Sequence, residues 1–194
     1  MFVQNPCITG LVPVEMAGYF LNGALEKGQA PAVLTGASGK HMSRVVEILI
    51  SSASSAPMEA RDDIRAFPGR GLEGDRYCLG NGTFSPQPQK PDYEATLIEL
   101  EKIEAFCRES GLPFTSSHAR RNIVTQGVDL NSLVGKTFRI GEVLIRGIRL
   151  CEPCNHLAKT SFPEALSGLA HKAGLRAQIM SEGIIHVGDA IVEQ

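Results

Sequence analysis

Two cysteines, Cys151 and Cys154, stand three positions apart in the run RLCEPCNHL, with His156 two residues further on. A thiolate can ligate a soft metal or carry sulfane sulfur as a persulfide, and a serine can do neither equivalently. Cys154, bounded by a proline, is the leading candidate for catalytic thiol and metal ligand. Cys151 is a candidate assistant through a disulfide or polysulfide. The same spacing also suits a redox pair, or half of a zinc site completed by His156, His118 or His171. A small buried hydrophobe is the plainest alternative for either cysteine. Upstream lies Arg120-Arg121-Asn122. Arg121 can pair bidentately with a phosphate or carboxylate, Asn122 can both donate to a ligand and accept from it, and Arg120 adds positive field. Against this, Arg121 could lock a carboxylate such as Asp75 while Asn122 satisfies a turn. Arg76, Arg176 and His156 complete the candidate ligand-binding set, with a salt bridge or a solvent-facing loop position as the plainer reading of each.

Other chemistries lack their signatures. No GxSxG frames a serine, no HExxH frames a metal, and neither a Walker loop nor a GxGxxG turn is present. Nineteen basic and 21 acidic residues give a net charge of -2, and the chain has no Trp and three Tyr. That composition argues against a basic, aromatic nucleic-acid surface, so no nucleic-acid partner is expected. No run approaches eighteen apolar residues and the opening stretch lacks a basic leader with a clean apolar core, so neither a membrane span nor export is expected. Five cysteines form an odd set without disulfide-miniprotein density, which points to a reducing, cytoplasmic compartment. Nothing in the spacing sets the oligomeric state.

The elements that must position these residues follow from periodicity. At 194 residues and 43% hydrophobic content, one substantial core is expected, read as a domain over 41–194 after an irregular Gly-, Pro- and Ala-rich extension over 1–40. Val45 to Ile50 is a strand-sized β-branched run. Gly69, Gly71 and Gly74 punctuate turns before Asp75 and Arg76, whose simplest reading is a capped turn with solvated charges. Leu97, Leu100, Ile103 and Phe106 predict a helix of about four turns, from Asp92 to Gly111. Ile123–Val124, Phe138–Ile140 and Val143–Ile148 read as short strands joined by glycines, with Leu130, Leu133 and Val134 as an apolar plug. A helix is predicted over SFPEALSGLAHKAG, with Leu166 and Leu169 inward. A closing hairpin is predicted over LRAQIMSEGIIHVGDAIVEQ, turning at Gly183 and returning Val187 and Val192 to the core. The fold class is mainly β, a barrel or sandwich core with a few peripheral helices.

Four pieces in order, GLEGDRY at 71–77, RRNIVTQGVDLNSLVGKTFRIG at 120–141, EPCNHL at 152–157 and GLRAQIMSEGIIHVGDAI at 174–191, make the chain resemble the MOSC domain family, named for the C-terminal domain of molybdenum-cofactor sulfurases. The resemblance runs from about Met42 to the end. It implies a MOSC-like β-barrel core with peripheral helices and a cysteine pocket associated with the molybdenum cofactor (molybdopterin) or sulfur transfer. It places the family's cysteine on Cys154, its arginine and asparagine on Arg121 and Asn122, and its Gly-Asp-Arg element on Gly74, Asp75 and Arg76. The chain carries no cysteine-desulfurase, ferredoxin or flavin domain, so the resemblance implies a sulfur-donor or electron-donor protein as partner. The expected activity is cofactor binding or sulfur carriage, within a reductase or sulfur-transfer system. The alternatives are a non-catalytic cofactor-delivery module and a structural domain with a degenerate pocket.

Overall fold

In the computed structural model, residues 43–85 and 90–194 are described; the expected extension over 1–40 lies outside them. Strand β1 (Arg44–Ile50) is followed by β2 (Glu59–Arg61), β3 (Asp63–Phe67), β4 (Gly71–Leu72) and, after a 3-10 turn at Pro91–Tyr93, β5 (Ala95–Glu99). Helices α1 (Leu100–Ser110) and α2 (Ser116–Ala119) lead to β6 (Ile123–Gln126), a 3-10 turn at Leu130–Leu133, β7 (Thr137–Ile140) and β8 (Val143–Leu150). Short helices α3 (Asn155–Thr160) and α4 (Ala165–Gly168) precede β9 (Leu175–Ile179), β10 (Gly183–His186) and β11 (Ile191–Glu193).

The main sheet runs β11-β7-β8-β9-β5-β6-β1-β2. Its two sides meet, because Val45 N donates to Asp189 O (2.9 Å), Gly188 N to Val45 O (2.9 Å) and Ile191 N to Ser43 O (2.8 Å). The second edge of β1 is therefore shared. Its first half closes the barrel on the segment entering β11, and its second half pairs with β2 as a flap. This contact covers the first half of β1, while β2 remains a short edge strand. The small sheet β10-β3-β4 adds Ile64, Ala66, Leu72 and Ile185 to the same inner core.

Strand alternation builds two cores from one wall. Ile48, Leu97 and Ile123 point into the barrel, where Phe138, Ile145 and Leu175 are also fully buried. Their neighbours Leu49, Ile98 and Val124 point outward beneath the helices, against Ile103, Phe106 and Leu169. Each such side chain contributes about 1.5–3 kcal/mol by leaving water.

This double burial corrects the helix expected from Asp92. Ala95 to Glu99 is a strand, paired parallel to β6 and antiparallel to β9, and all five of its residues are buried. A strand covered on both faces shows no alternation, so its apolar residues mimic a helical stripe. The helix begins at Leu100 and stops at Gly111, whose φ of 70° is the left-handed conformation a glycine terminates with. The closing hairpin is also corrected: β9 pairs with β5 and β8, whereas β10 crosses to β3. Val187 and Val192 are exposed rather than returned to the core. Of the helix expected over 161–174, one turn forms at Ala165–Gly168, with Ala165 and the following Leu169 buried and Leu166 outside.

Candidate functional site

The ends of β1 and β8 and the starts of β5, β6 and β9 converge at one pole of the barrel, and their polar residues lock together there. Asn122 is 2% exposed and its amide is fully used. Its Oδ1 accepts from Thr96 Oγ1 (2.8 Å) and Thr96 N (3.3 Å), while Nδ2 donates to Leu49 O (3.2 Å) and to Asp75 Oδ2 (3.1 Å). Asp75 also accepts from Ser51 N (3.3 Å), Tyr77 N (3.1 Å) and Arg76 Nη1 (3.2 Å). The Asp75–Arg76 pair is 2% and 8% exposed, so the solvated turn expected of it is in fact a buried junction. Gly71 and Gly74, at φ 108° and 72°, let the chain reach it; a Cβ on Gly71 would stand 2.9 Å from Glu94 O.

Arg121 is equally committed. Its Nε donates to Ala173 O (2.8 Å), Nη1 to Ala119 O (3.1 Å) and Nη2 to Cys151 O (3.0 Å), tying α2, the approach to β9 and the end of β8. It locks carbonyls, not Asp75. Cys151, 2% exposed, is held further by its own N–H donating to Gly174 O (2.8 Å). Two residues of the sequence-expected ligand set, Arg121 and Asn122, are thus keystones of the fold. Of the two, only Arg121 also lines the cleft.

That cleft is narrow, about 50 Å³, and opens at this pole. Arg76, Arg120, Arg121, Arg176, Cys151, Cys154 and His156 all line it, so the structure gathers every sequence-stated candidate except Asn122, which lies just beneath. Cys154 precedes α3 with an extended backbone (φ -136°, ψ 166°) and is the exposed thiol among the described residues; Cys78 is half-buried. Four arginines face one lining carboxylate, Glu152. That carboxylate is taken up by His171, through its N–H (2.9 Å) and Nδ1 (2.8 Å). Burial opposes ionisation of Glu152, but the His171 contacts outweigh it and hold the carboxyl below its ordinary range. Burial, then Arg120, Arg76 and Lys159, hold His156 below the ordinary histidine range, leaving it neutral at neutral pH.

The aromatic part of the lining was not foreseen. Tyr77 and Phe84 face the cleft, and Phe84 meets the His156 ring edge-on at 5.9 Å. Arg76 lies over Tyr77 (5.1 Å), Tyr77 against Tyr93 (5.7 Å), and Arg176 over Tyr93 (4.6 Å), an alternation of guanidinium and ring that spaces the two arginines. Tyr77 directly follows Gly-Asp-Arg, which was the available signal. Phe84 had none, since loop residues carry no period.

Among the described residues, no group of three His, Cys, Asp or Glu side chains is arranged to hold a metal ion. Two of the three histidines offered for the zinc alternative are engaged elsewhere: His118 Nδ1 accepts from Thr115 N (3.1 Å) at the start of α2, and His171 is paired with Glu152.

Residues 84–192 match the profile of the MOSC domain. The chain belongs to the MOSC domain family. The match begins downstream of Gly74-Asp75-Arg76, of which Arg76 nevertheless lines the cleft. No curated protein matches the chain. Among solved structures, the chain is similar to the YuaD protein of Bacillus subtilis, with 16% identity, a TM-score of 0.64 and coverage of 77% of this chain and 94% of that one. It is also similar to YiiM of Geobacillus stearothermophilus (16% identity, TM-score 0.62, 78% and 75% covered). A third is YiiM of Escherichia coli (19% identity, TM-score 0.58, 78% and 69% covered). At these identities the likeness concerns the fold. The MOSC family is linked to molybdenum-cofactor and sulfur chemistry, and among the described residues no helix is long and apolar enough to cross a membrane.

Proposed function

We propose that this MOSC protein is a cofactor-holding module whose cleft takes the molybdenum cofactor through its phosphate and presents Cys154 to its metal or sulfur. The observation that carries the reading is the placement of an exposed thiol among four arginines whose one lining carboxylate is already paired. Arginine forks suit a phosphate, a thiolate suits a soft metal, and a buried guanidinium nitrogen of Arg120 has no partner among the described residues. These residues fit the cofactor. Because no three side chains converge as a metal cluster among the described residues, a metal here would arrive with its own ligands, and Cys154 would add one.

The roles of the chain's own residues then follow. Arg76, Arg120 and Arg176 supply cationic donors, with Arg121 shaping the wall from behind. Tyr77 and Phe84 supply flat apolar surface for a ring. His156, neutral, accepts or donates one hydrogen bond beside the thiol. When bound, the cofactor would supply oxygen- or sulfur-atom transfer at molybdenum, with electrons or sulfur brought by a second protein.

Elemental analysis and cofactor extraction after co-expression with a molybdenum-cofactor source test the reading. Stoichiometric molybdenum with a released pterin, the molybdenum lost in Cys154→Ala, is the expected result. Cyanolysable sulfur on Cys154 without metal would instead make the protein a persulfide carrier. If neither molybdenum nor cyanolysable sulfur is found, even with a sulfur donor supplied, the proposal is refuted.

A further inference from the structure

The pole opposite the cleft carries a second cavity, open to solvent and of about 270 Å³. Strands β5 and β6 are parallel, so both start at the cleft and end at this pole. The cavity lies between the end of β5, the first turn of α1 and the loop leaving β6, and Glu99, Glu101, Lys102, Val128 and Asp129 line it. Glu99 continues the inward face that Ala95 and Leu97 set along β5, which puts a carboxyl at the edge of the barrel core.

Holding the loop in place explains half of each carboxylate. Glu99 Oε1 accepts from Leu130 N (3.2 Å), Glu101 Oε1 from Gly127 N (2.8 Å) and Asp129 Oδ1 from Asn131 N (3.2 Å), which pins the chain from the end of β6 into the 3-10 turn. The second oxygens are left over, and among the described residues none of the three carboxylates forms an ion pair. Glu101 and Asp129 are exposed, so water serves theirs. Glu99 is 2% exposed, and its Oε2 is buried with no partner among the described residues. Neither protonation state relieves it, since an ionised oxygen there needs a donor and a protonated one needs an acceptor. Burial raises the Glu99 carboxyl above its ordinary range, main-chain donors and Lys102 pull it back, and Asp129 pushes it further up. A donor that is also a cation would satisfy the oxygen and favour its ionised form.

We propose that this cavity is a second ligand site that binds a small organic diamine, whose ammonium groups donate to Glu99 at the wall and to Glu101 and Asp129 at the rim. Three carboxylates line the cavity with one lysine, so the lining attracts cations. Among the described residues no three such side chains are arranged to hold a metal ion, so the carboxylates suit a charge spread over a larger molecule rather than a compact ion. An alkyl chain between two ammonium groups spreads it. Half-buried Val128, packed against the barrel core, gives that chain apolar surface. The volume falls just under the roughly 300 Å³ at which small-molecule pockets begin, which keeps the occupant small. The site shares no residue with the cysteine cleft and does not depend on what that cleft holds.

Titration calorimetry at neutral pH and fixed ionic strength tests this on the full-length protein, with diaminobutane, its permethylated bis-quaternary analogue, butylamine and magnesium chloride as probes. The wild type, Glu99→Gln and Asp129→Asn are compared, with thermal unfolding recorded for each. Diaminobutane should bind the wild type and butylamine should bind more weakly. The bis-quaternary analogue keeps both charges but has no N–H, and it should bind more weakly than diaminobutane. Glu99→Gln should lose about ten- to a hundredfold in affinity for diaminobutane, the range of one charge-assisted bond. Asp129→Asn keeps an oxygen able to cap the 3-10 turn and removes only an exposed charge, so it should stay folded and lose several-fold. Equal affinity for the bis-quaternary analogue overturns the hydrogen-bonding role of the carboxylates. Magnesium bound as tightly as diaminobutane overturns the diamine in favour of a metal ion. Wild-type affinity in folded Glu99→Gln overturns the part given to Glu99, and wild-type affinity in Asp129→Asn overturns the part given to the rim. No binding of diaminobutane by the wild type overturns the site.

Discussion

Asn122→Asp changes one amide nitrogen to oxygen at the centre of the keystone and should be among the most damaging isosteric changes this fold can suffer. The nitrogen replaced is the one that donates to Leu49 O at 3.2 Å and Asp75 Oδ2 at 3.1 Å. An oxygen there faces two acceptors. The Leu49 contact forfeits a buried hydrogen bond, about 1–3 kcal/mol, and the Asp75 contact forfeits a charge-assisted one, about 1.5–3 kcal/mol. Like-charge repulsion from Asp75 adds to these losses, so the total at neutral pH should reach about 4 kcal/mol or more, a large part of the roughly 5–15 kcal/mol that holds a domain together. Asn122→Ala removes the same bonds without adding charge and should cost less, about 2–4 kcal/mol. Urea unfolding followed by circular dichroism measures both, read as a lowered midpoint at unchanged slope. The new carboxyl, raised by Asp75 above its unfolded value, binds protons more tightly in the folded state. Its stability deficit should therefore shrink as pH falls and grow as pH rises. If Asn122→Asp lies within about 1 kcal/mol of wild type at neutral pH, the side-chain network around Asp75 is not what holds this pole.

Two further expectations concern the scaffold. Gly174 has φ 101°, and a Cβ there would run into the Leu97 carbonyl, so Gly174→Ala should expel the segment that accepts from Cys151 N and helps seat Arg121. Loss of soluble folded protein, or a fall of several degrees in melting temperature with altered Cys151 alkylation, is the expected outcome; a wild-type melting curve would refute it. Glu99, 2% exposed, has Oε1 bonded to Leu130 N and Oε2 without a partner, and burial raises its carboxyl above the ordinary range. A raised carboxyl contributes most below its unfolded value near 4.5 and loses stability as pH rises through its folded value. Glu99→Gln should thus gain on wild type as pH increases from about 4 to 8, and a difference in melting temperature that stays constant with pH would contradict the assignment.

The sequence by itself determined the class of the fold, the family and the set of candidate residues. Those inferences rest on local chemistry: β-branched runs broken by glycines, an ordered set of motifs, and residue types able to grip an anion or a soft atom. It also carried the turn glycines, since a positive φ at Gly71 and Gly74 is a demand of the backbone alone. What it could not carry was the division of labour. Arg120 and Arg121 are adjacent and chemically identical, and only the left-handed turn between α2 and β6 sends one guanidinium to three carbonyls and leaves the other with a buried, unpartnered nitrogen. Asn122 reads as a ligand residue until Thr96, Leu49 and Asp75, from three distant parts of the chain, are seen to consume its amide. The strand at Ala95–Glu99 was hidden for the same reason, because burial on both faces erases the period that local reading depends on. Residue type sets which bonds a side chain can make. Which of them it has already made depends on groups far away in sequence, and only the closed barrel brings those groups within reach.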